Sequence, residues 1–436
     1  VKSVSQAVED LSSEGGHFEN RANMGNLVAQ HKKPAHRYAH ISVILKVTER
    51  CNLACPYCYF FFGGDESYKT HPPLMGAVTV EQVIRFVKDM KQATGINLVR
   101  IGLHGGEPLL MKRAALQAMC SALRAALGDE PELTLVLQTN GVLVDAGWID
   151  LFEELRIRVG VSFDGPPEVH DKTRITKGGE GSYAESLRGW NLLREAALAG
   201  RIEEPSILCV VAPNQDGGMI FRHFVETMKA KALSFLLPDL THDAVPLNRA
   251  VIEGCTRFLL GLAEAWASST ERGLYVRLID EFVGPILNDE LYKRKAMLFS
   301  PSHQVCVSSN GELCPDDVIR TYSPEFAETG LTVDGQGYDD VLAHPAWRTL
   351  QAAQTSLPAA CRGCEWSDIC GGGLLQHRYS RRRGFDNPSI YCSSLKALYE
   401  YLTRVLVNSG CSRDDMQDRI RRLATRHEEP VAQQGC

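Results

Sequence analysis

No stretch of the 436 residues holds the roughly 18 consecutive apolar side chains that a membrane-crossing helix needs. The N-terminus lacks the charged start and apolar core of a secretory signal. Lysine and arginine total 47 against 53 acidic residues, a formal charge of −6, and no basic tract is long enough to track a nucleic-acid backbone. Arg381, Arg382 and Arg383 form one short basic cluster, read as a solvated turn or a contact for an acidic partner. Internal repeats and low-complexity tracts are also absent, which excludes solenoid arrays and compositionally disordered chains. These absences predict a cytoplasmic protein with neither a membrane nor a nucleic acid as partner.

Cysteine, by contrast, is abundant: the chain has 14. A reducing compartment does not favour structural disulfides, so clustered cysteines there point to metal. Three fall within eight residues, Cys51, Cys55 and Cys58, and six more lie between Cys306 and Cys392. Cys120, Cys209 and Cys255 sit in apolar stretches and read as small buried hydrophobes. With 44% hydrophobic residues the chain can bury a large core, in about two domains.

Strand and helix patterns alternate through the first part. Strands are predicted at 41–47, 98–103, 133–138, 157–163, 206–211 and 232–237. Helices are predicted at 79–92, 111–127, 145–154, 182–199, 217–229 and 246–267, with Thr79 and Asp145 as N-caps. Six βα units imply a parallel sheet covered by helices, with chemistry at the carboxyl ends of the strands. Beyond 270, Tyr275 to Ile279 reads as a strand. From 300 to 392 glycine, proline and cysteine are dense, the profile of a module held by metal. A charged amphipathic helix is expected over 412–427. The divisions are a lead-in at 1–38, a barrel at 39–270, a bridge at 271–299, a cysteine module at 300–400 and a terminal helix and tail at 401–436. The lead-in is too short to hold a separate recognition domain.

Three thiolates on a tight loop can hold three irons of a four-iron, four-sulfur cube and leave the fourth open, whereas structural zinc wants four ligands. The spacing Cys51-x3-Cys55-x2-Cys58, followed by Tyr59, resembles the cluster loop of the radical SAM superfamily. That resemblance implies an α/β fold, a partial (β/α)6 TIM-like radical SAM barrel, with S-adenosylmethionine on the open iron. Gly105-Gly106-Glu107-Pro108 is an ordinary βα turn by itself; beside the cysteine loop it resembles the motif whose backbone receives the amino group of S-adenosylmethionine. Glu107 could accept from that amine or brace the turn. The resemblance gives Ser162 a polar cofactor contact and Arg174 the methionine carboxylate, which a guanidinium grips bidentately. Asn140 and Asp164 are further cofactor candidates or plain turn-formers. Tyr57 and Tyr59 are expected to pack beside the cluster, and His104 either lines the pocket or packs.

Cys361-x2-Cys364-x5-Cys370, then Cys392, can close a structural zinc site or a complete iron–sulfur cube. The spacing resembles the SPASM extension of radical SAM peptide maturases, which implies an auxiliary [4Fe-4S] cluster there, with Gly371-Gly372-Gly373 as the tight turn. Cys306 and Cys314 resemble the start of a second auxiliary site. A complete module carries one more cysteine before Cys306 and another beyond Cys370, where this chain has Leu374 and Leu375. The alternatives are a smaller or missing cluster, a distant ligand (Cys255, Cys411 or Cys436), an oxygen ligand at Asp316, or two thiols with a packing or redox role.

The segments Phe235-Leu-Leu-Pro-Asp239-Leu-Thr-His242-Asp243, Cys361 to Trp366 and Gly384 to Cys392 look like the subgroup that builds cyclophanes in ribosomally synthesised precursor peptides. The implied reaction is abstraction of a β-hydrogen, attack on an arene, then loss of an electron and a proton. Asp239, His242 or Asp243 would take the proton at the barrel mouth, unless the loop is merely solvated. The implied partners are the precursor peptide, docked on an exposed edge, and a reducing donor such as flavodoxin or ferredoxin. Rival products are a thioether, an epimer, or formylglycine made from Cys or Ser in sulfatases. A zinc-bound scaffold is the non-enzymatic alternative.

Overall fold

The computed structural model describes residues 40–244, 249–287, 303–412 and 416. Six strands carry the barrel: β1 (Ile41–Thr48), β2 (Val99–Gly105), β3 (Leu133–Thr139), β4 (Arg158–Ser162), β5 (Ser206–Val210) and β6 (Ala232–Leu236). Three more follow: β7 (Tyr275–Val276), β8 (Gln304–Val307) and β9 (Leu313–Cys314). They form one sheet in the order β7-β6-β5-β4-β3-β2-β1-β8-β9. Every neighbouring pair is parallel except β8–β9. Consecutive parallel strands need crossover helices, and the chain supplies them.

The main helices are α1 (Ala77–Thr94), α2 (Arg113–Leu127), α3 (Ala146–Glu154), α4 (Pro167–Thr173), α5 (Tyr183–Leu198), α6 (Gly217–Arg222) and α7 (Arg249–Ser268). They continue with α8 (Arg277–Leu287), α9 (Pro345–Thr355) and α10 (Cys392–Asn408). Alternation sets the layers. Val43, Leu45 and Val47 of β1 are buried on one face, and α1 turns Val80, Val83, Val87 and Met90 inward at helical spacing. Each such side chain contributes about 1.5–3 kcal/mol when fully buried. The other face of β1 carries Ser42, Ile44, Lys46 and Thr48 toward the barrel interior.

Asp145 caps α3, its carboxylate accepting from the Trp148 amide at 3.1 Å. Thr79 does not cap α1, which begins two residues earlier after an extended Gly76. The predicted strand from Tyr275 is only two residues long, because Asp280 takes the Val276 amide at 2.7 Å and starts α8. Four helices of six residues or more escape the sequence reading: α4, Tyr338–Ala343, α9 and α10. The lead-in 1–38 and most of the helix expected at 412–427 lie outside the described residues. Among the described residues no helix is long and apolar enough to cross a membrane.

Candidate active site

The cysteine loop leaves the carboxyl end of β1 and is pinned on three sides. Gly106 and Glu107 donate their amides to Thr48 and Arg50 carbonyls at 2.9 and 2.8 Å. The Ala54 amide donates to the Ile175 carbonyl at 2.8 Å. Asn140 Nδ2 donates to Asn52 Oδ1 at 2.8 Å. Glycine is required at the first contact: Gly105 has φ +131°, and a Cβ on Gly106 would stand 2.0 Å from the Arg50 carbonyl oxygen. The Gly-Gly pair thus lets the end of β2 lie directly on the cysteine loop.

Glu107 is buried, with both oxygens engaged: Oε1 accepts from Thr139 Oγ1 (2.7 Å) and the Leu109 amide (3.1 Å), Oε2 from the Asn140 amide (2.8 Å). Burial pushes its carboxyl up to about 7 against those donors. Its geometry is that of a brace between β2 and β3. Asn140 is also a brace, its Oδ1 accepting from the Val142 amide at 3.0 Å. Ser162 accepts from Gln138 Nε2 at 2.8 Å.

Asp164 gathers the opposite wall. It accepts from Tyr57 OH (2.6 Å), Thr173 Oγ1 (2.8 Å) and Arg174 Nε (3.1 Å). The Arg174 guanidinium lies 5.7 Å from the centre of the Tyr57 ring. Tyr57 is 38% exposed although its hydroxyl is tied inward, so its ring faces solvent. Burial pushes the Cys51 thiol up to about 12, helped by Glu107 and the other two cysteines, and the Cys55 thiol up to about 11, against Arg174. Two such neighbouring thiols ionise together only with a bound cation, which suits iron.

Inside the barrel lies a buried charged network that the sequence reading missed. Lys46 is fully buried on β1. Its Nζ sits 3.0 Å from Asp317 Oδ2, 3.2 Å from Tyr59 OH and 3.2 Å from His104 Nδ1. Tyr59 donates to the same Asp317 oxygen at 2.5 Å. Asp317 is held below the usual carboxylate range by Lys46 and the Tyr59 hydrogen bond, despite burial. Burial and Lys46 push His104 down to about 4, so it stays neutral. Nearby Asp239 is solvent-accessible yet ringed by protein, and this enclosure, with Asp317 and Asp316, pushes its carboxyl up to about 7. Both Asp316 oxygens already hold protein donors: Oδ1 accepts from the Val318 and Ile319 amides and Oδ2 from Gln304 Nε2.

His242 and Asp243 are engaged elsewhere. His242 Nε2 donates to the Pro388 carbonyl at 2.8 Å and its amide to the Tyr379 carbonyl at 3.0 Å. Asp243 accepts from the Arg381 amide at 2.6 Å, and Tyr391 OH donates to the Pro238 carbonyl at 2.9 Å. These contacts dock the cysteine module on the barrel.

In that module Cys361, Cys364, Cys370 and Cys392 line one cavity enclosing about 330 Å³ of protein-free space open to solvent, walled by Trp366, Leu395 and Tyr399. Cys392 is the first residue of α10. Gly371, Gly372 and Gly373 all have positive φ, which makes the tight turn after Cys370. Among the described residues no group of three or more His, Cys, Asp or Glu converges as a single metal ion requires. A four-iron cube spreads its thiolates one to each iron, which four thiols around a cavity can accommodate.

Residues 45–215 match the family model of the radical SAM superfamily. The chain is 32% identical over 377 residues to a serine-type anaerobic sulfatase-maturating enzyme of Bacteroides thetaiotaomicron, covering 81% of this chain and 86% of that protein. The chain belongs to the radical SAM superfamily, in the family of the anaerobic sulfatase-maturating enzymes. This radical SAM enzyme is also 25% identical over 378 residues to a cysteine-type sulfatase-maturating enzyme of Clostridium perfringens, covering 84% of this chain and 98% of that protein. Its fold matches the solved structure of native anSMEcpe with bound AdoMet and Kp18Cys peptide, at TM-score 0.70 and 22% identity, over 85% of this chain and 98% of that one. The architecture is a radical SAM (β/α) barrel fused to a cysteine-rich SPASM-like module.

These matches overturn the expected cyclophane chemistry and with it the assignment to peptide natural-product biosynthesis. The structure gives the physical reason. Two of the segments that carried that resemblance, 235–243 and 384–392, grip each other through Tyr391–Pro238 and His242–Pro388. They report how barrel and module join, not which product is made.

Proposed function

We propose that this radical SAM enzyme oxidises the β-carbon of one serine or cysteine in a peptide segment to the aldehyde of formylglycine. The match to the serine-type enzyme along 86% of that protein carries this reading. In it Cys51, Cys55 and Cys58 hold a [4Fe-4S] cluster with an open iron, and Cys361, Cys364, Cys370 and Cys392 hold an auxiliary one. When bound, the clusters and S-adenosylmethionine supply a hydrogen-abstracting carbon radical and a sink for one electron.

The remaining work falls to the chain. Gly105, Gly106 and Pro108 present backbone to the cofactor's amino group, with Glu107 and Asn140 holding that backbone in place. Arg174, its Nε held by Asp164, turns its terminal nitrogens to the carboxylate. Ser162 offers a hydroxyl, and Tyr57 covers the site. Turning an alcohol into an aldehyde removes a hydrogen atom from carbon, one electron, and the hydroxyl proton. Asp239 is the proton acceptor: it is accessible, enclosed, and half-ionised near neutral pH. Asp317 is less basic and already held by Lys46 and Tyr59. A cysteine substrate would lose its thiol proton in the same way, and water would then replace sulfur. A small reducing protein such as flavodoxin or ferredoxin supplies electrons.

The test is anaerobic incubation of the reconstituted enzyme with S-adenosylmethionine, a reductant and sulfatase-derived peptides bearing serine or cysteine. The serine peptide should lose two hydrogens and gain an aldehyde that a hydrazine traps. Cofactor cleavage that leaves both peptides intact, or a mass loss with no aldehyde, would overturn the proposal.

A further inference from the structure

Cys306 and Cys314 are the thiols that family resemblance would give to a second auxiliary cluster, and their surroundings do not fit one. They face each other directly across the antiparallel β8–β9 pair, and both are fully buried. The two side chains hydrogen-bond to one another. Two buried cations act on the sulfurs, one of them in direct contact. Arg320, 3% exposed, points Nη1 at Cys314 Sγ (3.6 Å) and Ser308 Oγ (2.9 Å). Its Nη2 donates to Ser67 Oγ at 2.9 Å, and its Nε lies 2.6 Å from Asp65 Oδ2. Lys46 bears on Cys306 and is locked to Asp317, Tyr59 and His104.

The contrast with the module site lies within the same chain. There, four thiols surround a cavity; here, two thiols touch and charged side chains occupy the neighbourhood. The described candidate ligands do not rescue the site. Cys255 packs in the hydrophobic core and Cys411 against it, each carboxylate oxygen of Asp316 already accepts from a protein donor, and Cys436 lies outside the described residues. A cube held by thiolates wants four, or three with one open iron.

We propose that this protein carries two iron–sulfur clusters, at Cys51/Cys55/Cys58 and at Cys361/Cys364/Cys370/Cys392. Cys306 and Cys314 form a buried thiol pair instead. Through Arg320 that pair clamps β9 to the 65–67 loop, and so holds the start of the module against the barrel. This inference concerns cofactor content and stands whichever product the enzyme makes.

Counting iron and acid-labile sulfide after anaerobic reconstitution of the full chain tests it. Two cubes give about eight of each per chain, against about twelve for three cubes. The Cys306→Ser/Cys314→Ala double variant should keep the wild-type count, and Cys361→Ala/Cys364→Ala should lose about half of it. Arg320→Ala should keep its iron while its thermal unfolding midpoint falls. A wild-type count near twelve overturns the proposal. So does loss of about a third of the iron from a Cys306/Cys314 variant whose circular dichroism matches wild type. Should that variant fail to fold, the wild-type count decides alone.

Discussion

At the residue scale, Asp239 and Glu107 show how enclosure gives two carboxylates different roles. Both have a carboxyl pushed up to about 7. Glu107 is buried under three protein donors, whereas Asp239 is exposed to solvent. Asp239→Asn should leave cofactor cleavage intact and lower peptide oxidation by about 10²-fold or more, read by product mass spectrometry. A base works ionised, so wild-type peptide oxidation should rise with pH through about 7, and the variant should lack that limb. The stability effect has the opposite sign. The folded carboxyl keeps a proton that the unfolded chain releases near pH 4, so its contribution to stability falls between about pH 4 and 7. Denaturation midpoints of Asp239→Asn should therefore drop less than those of wild type across that window. Glu107→Gln should behave differently, because an amide NH2 must now face one of the three donors. An unmet buried partner costs about 1–3 kcal/mol, visible as a lower thermal midpoint.

At the element scale, the site depends on two seams. The first joins β1 and β2, where Gly106 lies against Arg50. Gly106→Ala would drive a methyl into backbone that has no room to move. We expect it to separate the cysteine loop from β2, so that iron is lost from the N-terminal cluster on gel filtration while the module retains its own. The second seam joins the barrel loop after β6 to the segment before α10. His242→Ala would strand the Pro388 carbonyl, at about 1–3 kcal/mol. Its expected signature is faster proteolysis of the module with cofactor cleavage little changed, which separates docking from proton transfer. α10 illustrates a helix that was legible but unread. Leu395, Leu398, Tyr399, Leu402 and Leu406 are buried at helical spacing, but the chain before Cys392 is so rich in glycine and cysteine that the region reads as irregular. Thr79 shows the converse: a residue of good capping chemistry lies inside α1 because Gly76 had already turned the chain.

At the scale of the whole molecule, one sheet runs from β7 to β9 and carries both the barrel and the start of the module. β8 extends the β1 edge, pairing Ile44 with Cys306. That pairing brings Asp317 to Lys46 across 271 positions of sequence. The two proposed cluster sites differ in what supports them. The N-terminal loop rests on the sheet, whereas the module site is a cavity between a glycine turn and α10. Removing iron from the module should therefore cost more order than removing it from the barrel, since ligation there supplies folding energy that no large core replaces. Hydrogen exchange on the chelator-treated protein should show 358–392 opening while β2 to β5 stay protected.

Local pattern alone placed the six barrel strands to within a residue or two, because period-two alternation and capped amphipathic runs are properties of neighbouring residues. Spacing alone picked out the two cysteine sets that line the loop and the cavity, because ligands on one turn must be close in sequence. Only the assembled sheet decided the rest. It set Lys46, Tyr59, His104 and Asp317 in one buried cluster, paired Cys306 with Cys314 under Arg320, and locked two distant polar segments into a seam. Contacts between residues hundreds of positions apart are chosen by which strand edges meet, and no local period records that choice.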